Sequence, residues 1–481
     1  MHKTLKLALA AATPVLLLAG CSDFLKGPGL SNNPNQPTQA TPDQLWVAAQ
    51  VSAMATWENY PMMLFTTWAQ QISGVARQWA TYARYGASAT QSSSTNALWN
   101  NLYGPGGYRD LQAIVAAATT SGNLVFRGEA RVLEAMEFGT NADVYGDIPF
   151  SASLTGAPTF DKQAVIYAHV LALLDSAISD LAGAGLGSAS KDFFFNNDKA
   201  KWTAVAHTLK ARFLMHTAPT SATTFSASIL ASVATEAALG IADSTGSLRP
   251  NHTTTPGEQN LFYSFISSRA GDVDPGRQHI DEAKLAGETA LLAKWYLPNK
   301  YGNYYGSDEG APGSVIDGHP FDSIAGFLVG LKSATSWPIV DYAENQMLIA
   351  EVQYRQGNIA GALLTVNNYR VSQGQLAISP APALDFHTLQ AVLREKYIRL
   401  FFNMEVWNDY LRTCYPNVPL PVGANASQPY VPAREPVAQS EQNANSANVP
   451  PQPQQNPHNL NNFKHLLAVD GSACLAQVNQ P

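Results

Sequence analysis

The stretch that decides how this chain folds is YAENQMLIAEVQYRQGNIAGALLTVNNYRVS, residues 342–372. Two helical runs, Tyr342 to Gln356 and Ile359 to Ser372, flank Gly357-Asn358. The glycine permits a tight turn, and Ala350 and Ala362 are small enough to let the two helices pack closely. A single pair of this kind cannot bury its own apolar face, so other helix pairs must stack on it. A generic helical hairpin is the plainer alternative.

Reading outward, the helical period continues through most of the chain. Tyr167, Leu171, Leu174, Ile178 and Leu181 form one stripe, as do Trp202, Val205, Leu209 and Phe213, and again Leu389, Leu393, Tyr397 and Leu400. Leu124 to Thr140 reads as a helix ended by the turn-rich Tyr145-Gly146-Asp147-Ile148-Pro149. Thr41-Pro42-Asp43-Gln44 is a helix start, with Thr41 as cap and Gln44 closing a capping box. Strand signals are few, and the chain is predicted to be all-α. The spacing Ala350-x-x-x-Tyr354-x-x-Gly357-Asn358-x-x-x-Ala362 resembles the centre of a tetratricopeptide repeat, and the pairs near 109–141 and 162–217 are candidates to stack with it. Two regions break the pattern. Residues 250–320 hold many Gly, Pro, Asp and Tyr around one predicted helix, Asp281 to Tyr296. Residues 416–481 form an irregular C-terminal segment, rich in Pro, Asn and Gln as far as 459.

The N-terminus sets the compartment. Lys3 and Lys6 precede an apolar run, Leu7 to Leu18, of signal-peptide length and too short to cross a bilayer. Leu18-Ala19-Gly20-Cys21 follows, similar to a bacterial lipobox. Residues 1–20 are therefore expected to be a cleaved signal, and Cys21 the site of lipidation. Its acyl chains, palmitate among them, would anchor the protein more firmly than one chain can. An ordinary secreted protein with an incidental cysteine is the alternative. Residues 21–41 read as anchor and extended tether, and 42–481 as one helical domain. No later segment approaches ~20 continuous apolar residues, so the membrane is met through the lipid alone. Cys414 and Cys474 are free to form a disulfide outside the cytoplasm. The composition is 46% hydrophobic and only 14% charged, with a net charge of -7. A mildly acidic surface without a basic stripe excludes nucleic acid as a partner, and a wealth of Asn, Gln, Ser, Thr and Tyr leans toward a neutral, hydroxyl-rich ligand.

Several motifs, taken in order, resemble the SusD/RagB family of surface glycan-binding lipoproteins, and most closely its SusD-like branch. They are Asn33-Pro34-Asn35 behind the lipobox; Trp99 to Tyr103; Glu129-Ala130-Arg131 running to Gly146-Asp147-Ile148-Pro149; Leu209-Lys210-Ala211-Arg212; Tyr342-Ala343-Glu344 with Ala350-Glu351; and Arg394-Glu395-Lys396-Tyr397 running to Trp407-Asn408-Asp409-Tyr410-Leu411-Arg412-Thr413. Glu435 departs from the pattern, standing where an aromatic is usual. The resemblance implies a scaffold of tetratricopeptide-like helix pairs, with long irregular loops forming a ligand face. It implies an outer-membrane protein facing the cell exterior, capturing oligo- or polysaccharide. It also implies a partner, a TonB-dependent SusC-type transporter over which the protein sits as a lid. Some relatives of this architecture serve peptide uptake, which keeps a peptide-binding reading open.

Sugars offer C–H faces to aromatic rings and hydroxyl edges to polar side chains. Two aromatic clusters in irregular regions fit that need: Trp79, Tyr82 and Tyr85 with Arg84, and Tyr301, Tyr304 and Tyr305 with Asn303 and Asp308. Packing onto the helices beneath is the alternative for both. Trp57, Trp68, Trp202 and Trp407 sit in helical patterns and are expected in the core. No hydrolase elbow, P-loop or zinc-binding helix motif is present, and no catalytic residue, metal or cofactor is expected. Asp272-Val273-Asp274 could ligate Ca2+, although an isolated Asp-x-Asp is usually solvated. Glycoside hydrolysis needs only two carboxylates, and Glu129, Glu134, Glu137, Glu344 and Glu351 are more readily explained by structural roles on helices.

Overall fold

The computed structural model of the chain describes residues 40–85, 96–189, 192–220, 224–311, 324–424 and 431–450. The signal segment, Cys21, Asn33-Pro34-Asn35 and Cys474 lie outside the described residues.

The expected capping box opens the first helix, α1 (Pro42–Glu58): Thr41 Oγ1 accepts from the Gln44 N–H, and the Gln44 side chain accepts from the Thr41 N–H. After it come α2 (Tyr60–Trp68), α3 (Arg77–Ala83), α4 (Asn96–Tyr103), α5 (Tyr108–Ser121) and α6 (Leu124–Tyr145). The next group is α7 (Gln163–Leu181), α8 (Lys199–Thr217), α9 (Ala227–Leu239), α10 (Leu261–Ser268), α11 (Arg277–Leu285) and α12 (Thr289–Leu292). The last are α13 (Tyr342–Arg355), α14 (Ile359–Ser372), α15 (Phe386–Arg399), α16 (Glu405–Thr413) and α17 (Gln439–Ala444). The helices pack in sequence: α5 on α6, α6 on α7, α7 on α8, α8 on α9, α9 on α13, and α13 on α14 and α15. This is the all-α stack of helix pairs that the motif at 342–372 called for.

The turn of that motif works as its residues dictate. Gly357 sits at φ 85°, a backbone region costly for residues with a Cβ, and the Asn358 side chain then caps α14 by accepting from the Gly361 N–H. Ala350 and Ala362 are both fully buried in one cluster between the helices. Trp57, Trp68, Trp202 and Trp407 are core residues, as expected.

Two expectations are corrected. The helix placed at Asp281–Tyr296 starts earlier, at Arg277, and is split in two at Gly287, whose φ is 70°. The 250–320 region is also less irregular than its composition suggests. It contains α10 and the strand β4, part of a set of short antiparallel ladders: β1 (Ile72–Gly74) pairs with β4 (Val273–Pro275), β2 (Ile148–Pro149) with β3 (Phe160–Asp161), and β5 (Tyr296–Leu297) with β6 (Gly326–Phe327). Ladders of two or three residues carry no alternating pattern long enough to be read from sequence. Cys414, the left-handed cap of α16, is buried and disulfide-bonded.

The motif residues meet in the interior as ions. Arg212 on α8 makes a bidentate pair with Glu344 on α13, both bonds 2.6 Å, and donates to the Ile339 carbonyl at 3.0 Å. One turn on, His216 lies between Asp143 on α6 (2.9 Å) and Glu405 on α16 (3.0 Å). Burial opposes charging this imidazole, but the two carboxylates outweigh burial and hold its pKa up at about 10. Two turns along the same face of α13, Glu351 is clasped by Arg412 and Arg355, and Arg412 reaches Asp409, which also binds Lys396 at 2.7 Å. A buried pair may add little net stability over apolar residues, but removing one partner strands a charge at about 3–5 kcal/mol. Glu344→Gln is therefore expected to lower unfolding stability by about 3–5 kcal/mol, read as a shift in the urea midpoint with an unchanged slope. A loss under about 1 kcal/mol would show that the pair does not hold the stack together.

Candidate functional site

A polar groove forms where three distant segments converge. Ile72 of β1 lies opposite Pro275 of β4, and a parallel bridge from Gly276 to Ser307 adds residues 306–308 beside them. That approach requires Gly306, because a Cβ there would sit 2.5 Å from the Arg277 nitrogen. The Ser307 N–H donates to the Pro275 carbonyl (2.8 Å), the Arg277 N–H to the Ser307 carbonyl (3.0 Å), and Ser73 Oγ to the Asp308 carbonyl (2.9 Å). The segment 417–424 forms the facing wall. Gln70 Nε2 donates to the Pro419 carbonyl at 2.7 Å, and the Val422 N–H to the Glu309 carbonyl at 2.8 Å. The enclosed volume is about 410 Å3, lined by Gln70, Arg277, Asp281, Asp308, Glu309 and Asn417, with Leu420 and Val422 half-exposed beside them.

The charges of the groove largely cancel. Arg277 lies between Asp281 (3.1 Å) and Asp308 (2.9 Å), and Lys284 stands 3.8 Å from the other oxygen of Asp281, so two cations meet two carboxylates. Glu309 is only 5% exposed; Oε1 accepts weakly from the Gly74 N–H at 3.4 Å, and Oε2 has no partner among the described residues. Burial pushes its pKa well above the ordinary value, against the small effect of the Gly74 bond, which favours the neutral acid. What remains is a set of fixed amides, hydroxyls and one neutral carboxyl. Backbone strain is found here as well: Gln70, and Tyr85 behind it, have positive φ of 57° and 55°, a feature that concentrates at functional sites.

Of the residues singled out from sequence, Asp308 lines the groove. Arg84 staples its rim, donating twice to the Gly310 carbonyl at 2.9 and 2.8 Å. Tyr301 is 62% exposed, Asn303 is exposed, and Tyr304 and Tyr305 are half-buried, with Lys284 Nζ 4.7 Å from the Tyr305 ring. These four stand on the same segment as Asp308 without lining the groove itself. The first cluster is placed differently. Trp79 and Tyr85 are fully buried and Tyr82 nearly so, with Trp79 packed against Tyr60, Tyr82 and Phe265. Their ring faces are covered by protein because aromatic area is most stable out of water. Tyr85 reaches the groove indirectly, accepting from Gln70 Nε2 at 3.4 Å. Sequence reading missed Gln70, Arg277 and Glu309, and only the pairing of 72–74 with 273–275 brings them together.

The remaining candidates are accounted for by packing. Glu344 and Glu351 are bound by arginines, Glu134 accepts from Gln112 at 2.8 Å, and Glu129 and Glu137 are buried within α6, where burial lifts both pKa values to about 8. Asp272 is buried and held by Arg77 and Arg269, and Asp274 accepts from Ser307 Oγ, so the Asp-x-Asp pair is committed to protein partners. Among the described residues one cluster has metal-ligand spacing, Asp143, His216 and Glu405. There the charged imidazole already donates one N–H to each carboxylate, Nδ1 to Asp143 and Nε2 to Glu405.

The family model SusD-like_2, described as "Starch-binding associating with outer membrane", matches residues 34–436. The chain belongs to the SusD-like family. Solved SusD-like structures share its fold at low identity. A SusD/RagB family protein from Bacteroides thetaiotaomicron is 18% identical, with a TM-score of 0.66 over 85% of this chain and 95% of that one. A chitin-binding protein is 19% identical, with a TM-score of 0.70 over the same shares. A chitin-binding SusD homolog from Flavobacterium johnsoniae is 16% identical, with a TM-score of 0.62 over 83% and 94%. No curated protein matches the sequence. The family motifs at Arg212, Glu344, Glu351 and Arg412 are the buried ions of this SusD-like scaffold, whereas the groove lies on segments that none of those motifs marks.

Glu309→Gln should test the neutral-acid assignment. A carboxyl whose folded pKa is raised contributes its stability below the unfolded pKa and loses it as pH rises. The amide mimics the neutral form at every pH. The variant is therefore expected to melt like the parent at pH 5 and above it at pH 8, and a variant that melts lower at both would refute the assignment.

Proposed function

We propose that this SusD-like protein is a nutrient-binding lipoprotein that captures a neutral glycan in the groove between residues 70, 277, 308 and 419. The observation that carries this reading is the pairing of Arg277 and Lys284 with Asp281 and Asp308, which leaves the groove's hydrogen-bonding groups with little net field. Neutral polyols need such an arrangement, since their hydroxyls both donate and accept. Tyr301, Tyr304, Tyr305, Asn303 and Arg84 border the same face and are proposed to extend it, the tyrosines by stacking on sugar C–H faces. The family description as starch-binding, and the chitin-binding relatives, support a polysaccharide as ligand. Binding without turnover is favoured because Asp281 and Asp308 are both committed to Arg277.

The groove is tested by calorimetry against starch, chitin and plant-wall oligosaccharides, with a peptide library as a control. Asp308→Ala or paired Ala at Tyr304 and Tyr305 is expected to weaken binding about tenfold, about 1.4 kcal/mol, while moving the melting temperature little. Affinity unchanged in both variants would remove the groove and its border from the site. Binding of peptides alone would replace the glycan reading with peptide uptake.

The protein is further proposed to be anchored in the outer membrane through acylated Cys21, facing the exterior. From there it would deliver ligand to a TonB-dependent SusC-type barrel. Mass spectrometry of the native protein is expected to find residues 1–20 removed and acyl chains on Cys21, and crosslinking to recover the barrel. An unmodified, uncleaved N-terminus would end the lipoprotein reading.

A further inference from the structure

A second cavity, of about 280 Å3, lies at the foot of the α13–α14 pair and shares no lining residue with the groove. Its walls include Trp295, Trp337, Tyr342 and Tyr369, with Arg249 and Lys294 among its charged residues. The aromatic walls are fixed from behind: Trp295 and Trp337 both pack against Phe401, at centroid distances of 5.3 and 5.7 Å.

The hydrogen-bonding character of this cavity is the reverse of the groove's. Among the described residues Lys294 Nζ, Trp295 Nε1 and Trp337 Nε1 have no hydrogen-bond acceptor, and none of the three is sealed from solvent. Arg249 spends one nitrogen on the Ser244 carbonyl at 3.1 Å. Asp341 is the only carboxylate in the lining; it already accepts from Ser247 Oγ at 2.7 Å, and burial raises its pKa against that bond and the nearby Arg249. Arg399, the third basic residue of the lining, is neutralised by Glu288 and Glu395 behind the wall. Its charge still reaches Lys294, whose pKa is lowered first by burial and then by Arg399. An incoming anion would relieve that repulsion.

We infer that this cavity is a second saccharide site, one that takes an acidic sugar. The half-buried Trp295 ring would receive a pyranose face, with the edge of the buried Trp337 beside it, and Lys294 and Arg249 its carboxylate. Aromatic walls alone would accept any sugar. The surplus of unmatched donors selects one that brings acceptors, and a uronate carries two on each carboxylate. The site is independent of the groove, which balances its own charges and suits a neutral chain.

The test uses the full-length protein, a galacturonate tetramer and the methyl ester of the same tetramer, read by tryptophan fluorescence and calorimetry. The acid is expected to bind at least about tenfold more tightly than the ester, equivalent to about 1.4 kcal/mol. Raising the salt from about 50 to 300 mM should weaken the acid and leave the ester unchanged. Lys294→Ala should abolish most of the preference and Lys294→Arg restore it. Lys294 is exposed, and unchanged melting temperatures will confirm intact folding. Asp308→Ala, in the groove, should leave acid binding as it was, which separates a failure here from a failure of the groove. Equal binding of acid and ester, no binding of either, or a Lys294→Ala variant that keeps the preference overturns the inference.

Discussion

Everything else in this molecule rests on the pairing of buried ions across α6, α8, α13, α15 and α16. Arg212 with Glu344, His216 with Asp143 and Glu405, and Glu351 with Arg412 each join helices far apart in sequence. Taking such charges out of water is expensive unless each is met by a partner in good geometry. A helix that slid or rotated by one residue would leave several unmet at once. The apolar stripes make the helices aggregate, since burying them stabilises any compact arrangement. The ions make one register tolerable and the neighbouring ones not, so the network specifies the stack more than it strengthens it.

The network also reaches the groove. Immediately past α15, Gln71 donates to the Tyr397 and Leu400 carbonyls at 2.9 and 3.0 Å, and its side-chain oxygen accepts from the Phe402 N–H at 2.8 Å. The next residue begins β1, and the previous one is the strained Gln70 of the groove wall. The positions of α15 and α16, fixed by Lys396, Asp409 and Arg412, are thereby passed to the binding surface through one glutamine. Rigid helices that carry loops with strained turns are a common arrangement for recognition, because the scaffold supplies the stability that the loops forgo.

How much of this could be read beforehand follows the range of each interaction. Local chemistry was legible: the Thr41 capping box, the Gly357 turn, and the apolar period that placed Trp57, Trp202 and Trp407 inside. Motif order identified the scaffold, and the charged motif residues proved to be its interior contacts. The aromatic content of 79–85 could not reveal that Phe265, nearly two hundred residues on, covers Trp79. The groove was invisible for the same reason. Gln70, Arg277 and Glu309 belong to no motif, and β1 and β4 are too short to announce their pairing. Asp308 was singled out for its nearby tyrosines, whereas the structure places it opposite Arg277.

The bond from Gln70 to the Pro419 carbonyl closes a loop of 349 residues. Contacts of such separation form late, since the chain between them must already be ordered before they repay the entropy of closure. Unlike a pocket formed within one hairpin, this groove does not exist on any fragment or half-assembled intermediate. Whatever the groove does is then a property of the finished molecule alone, and a chain still folding is mute toward whatever surrounds it.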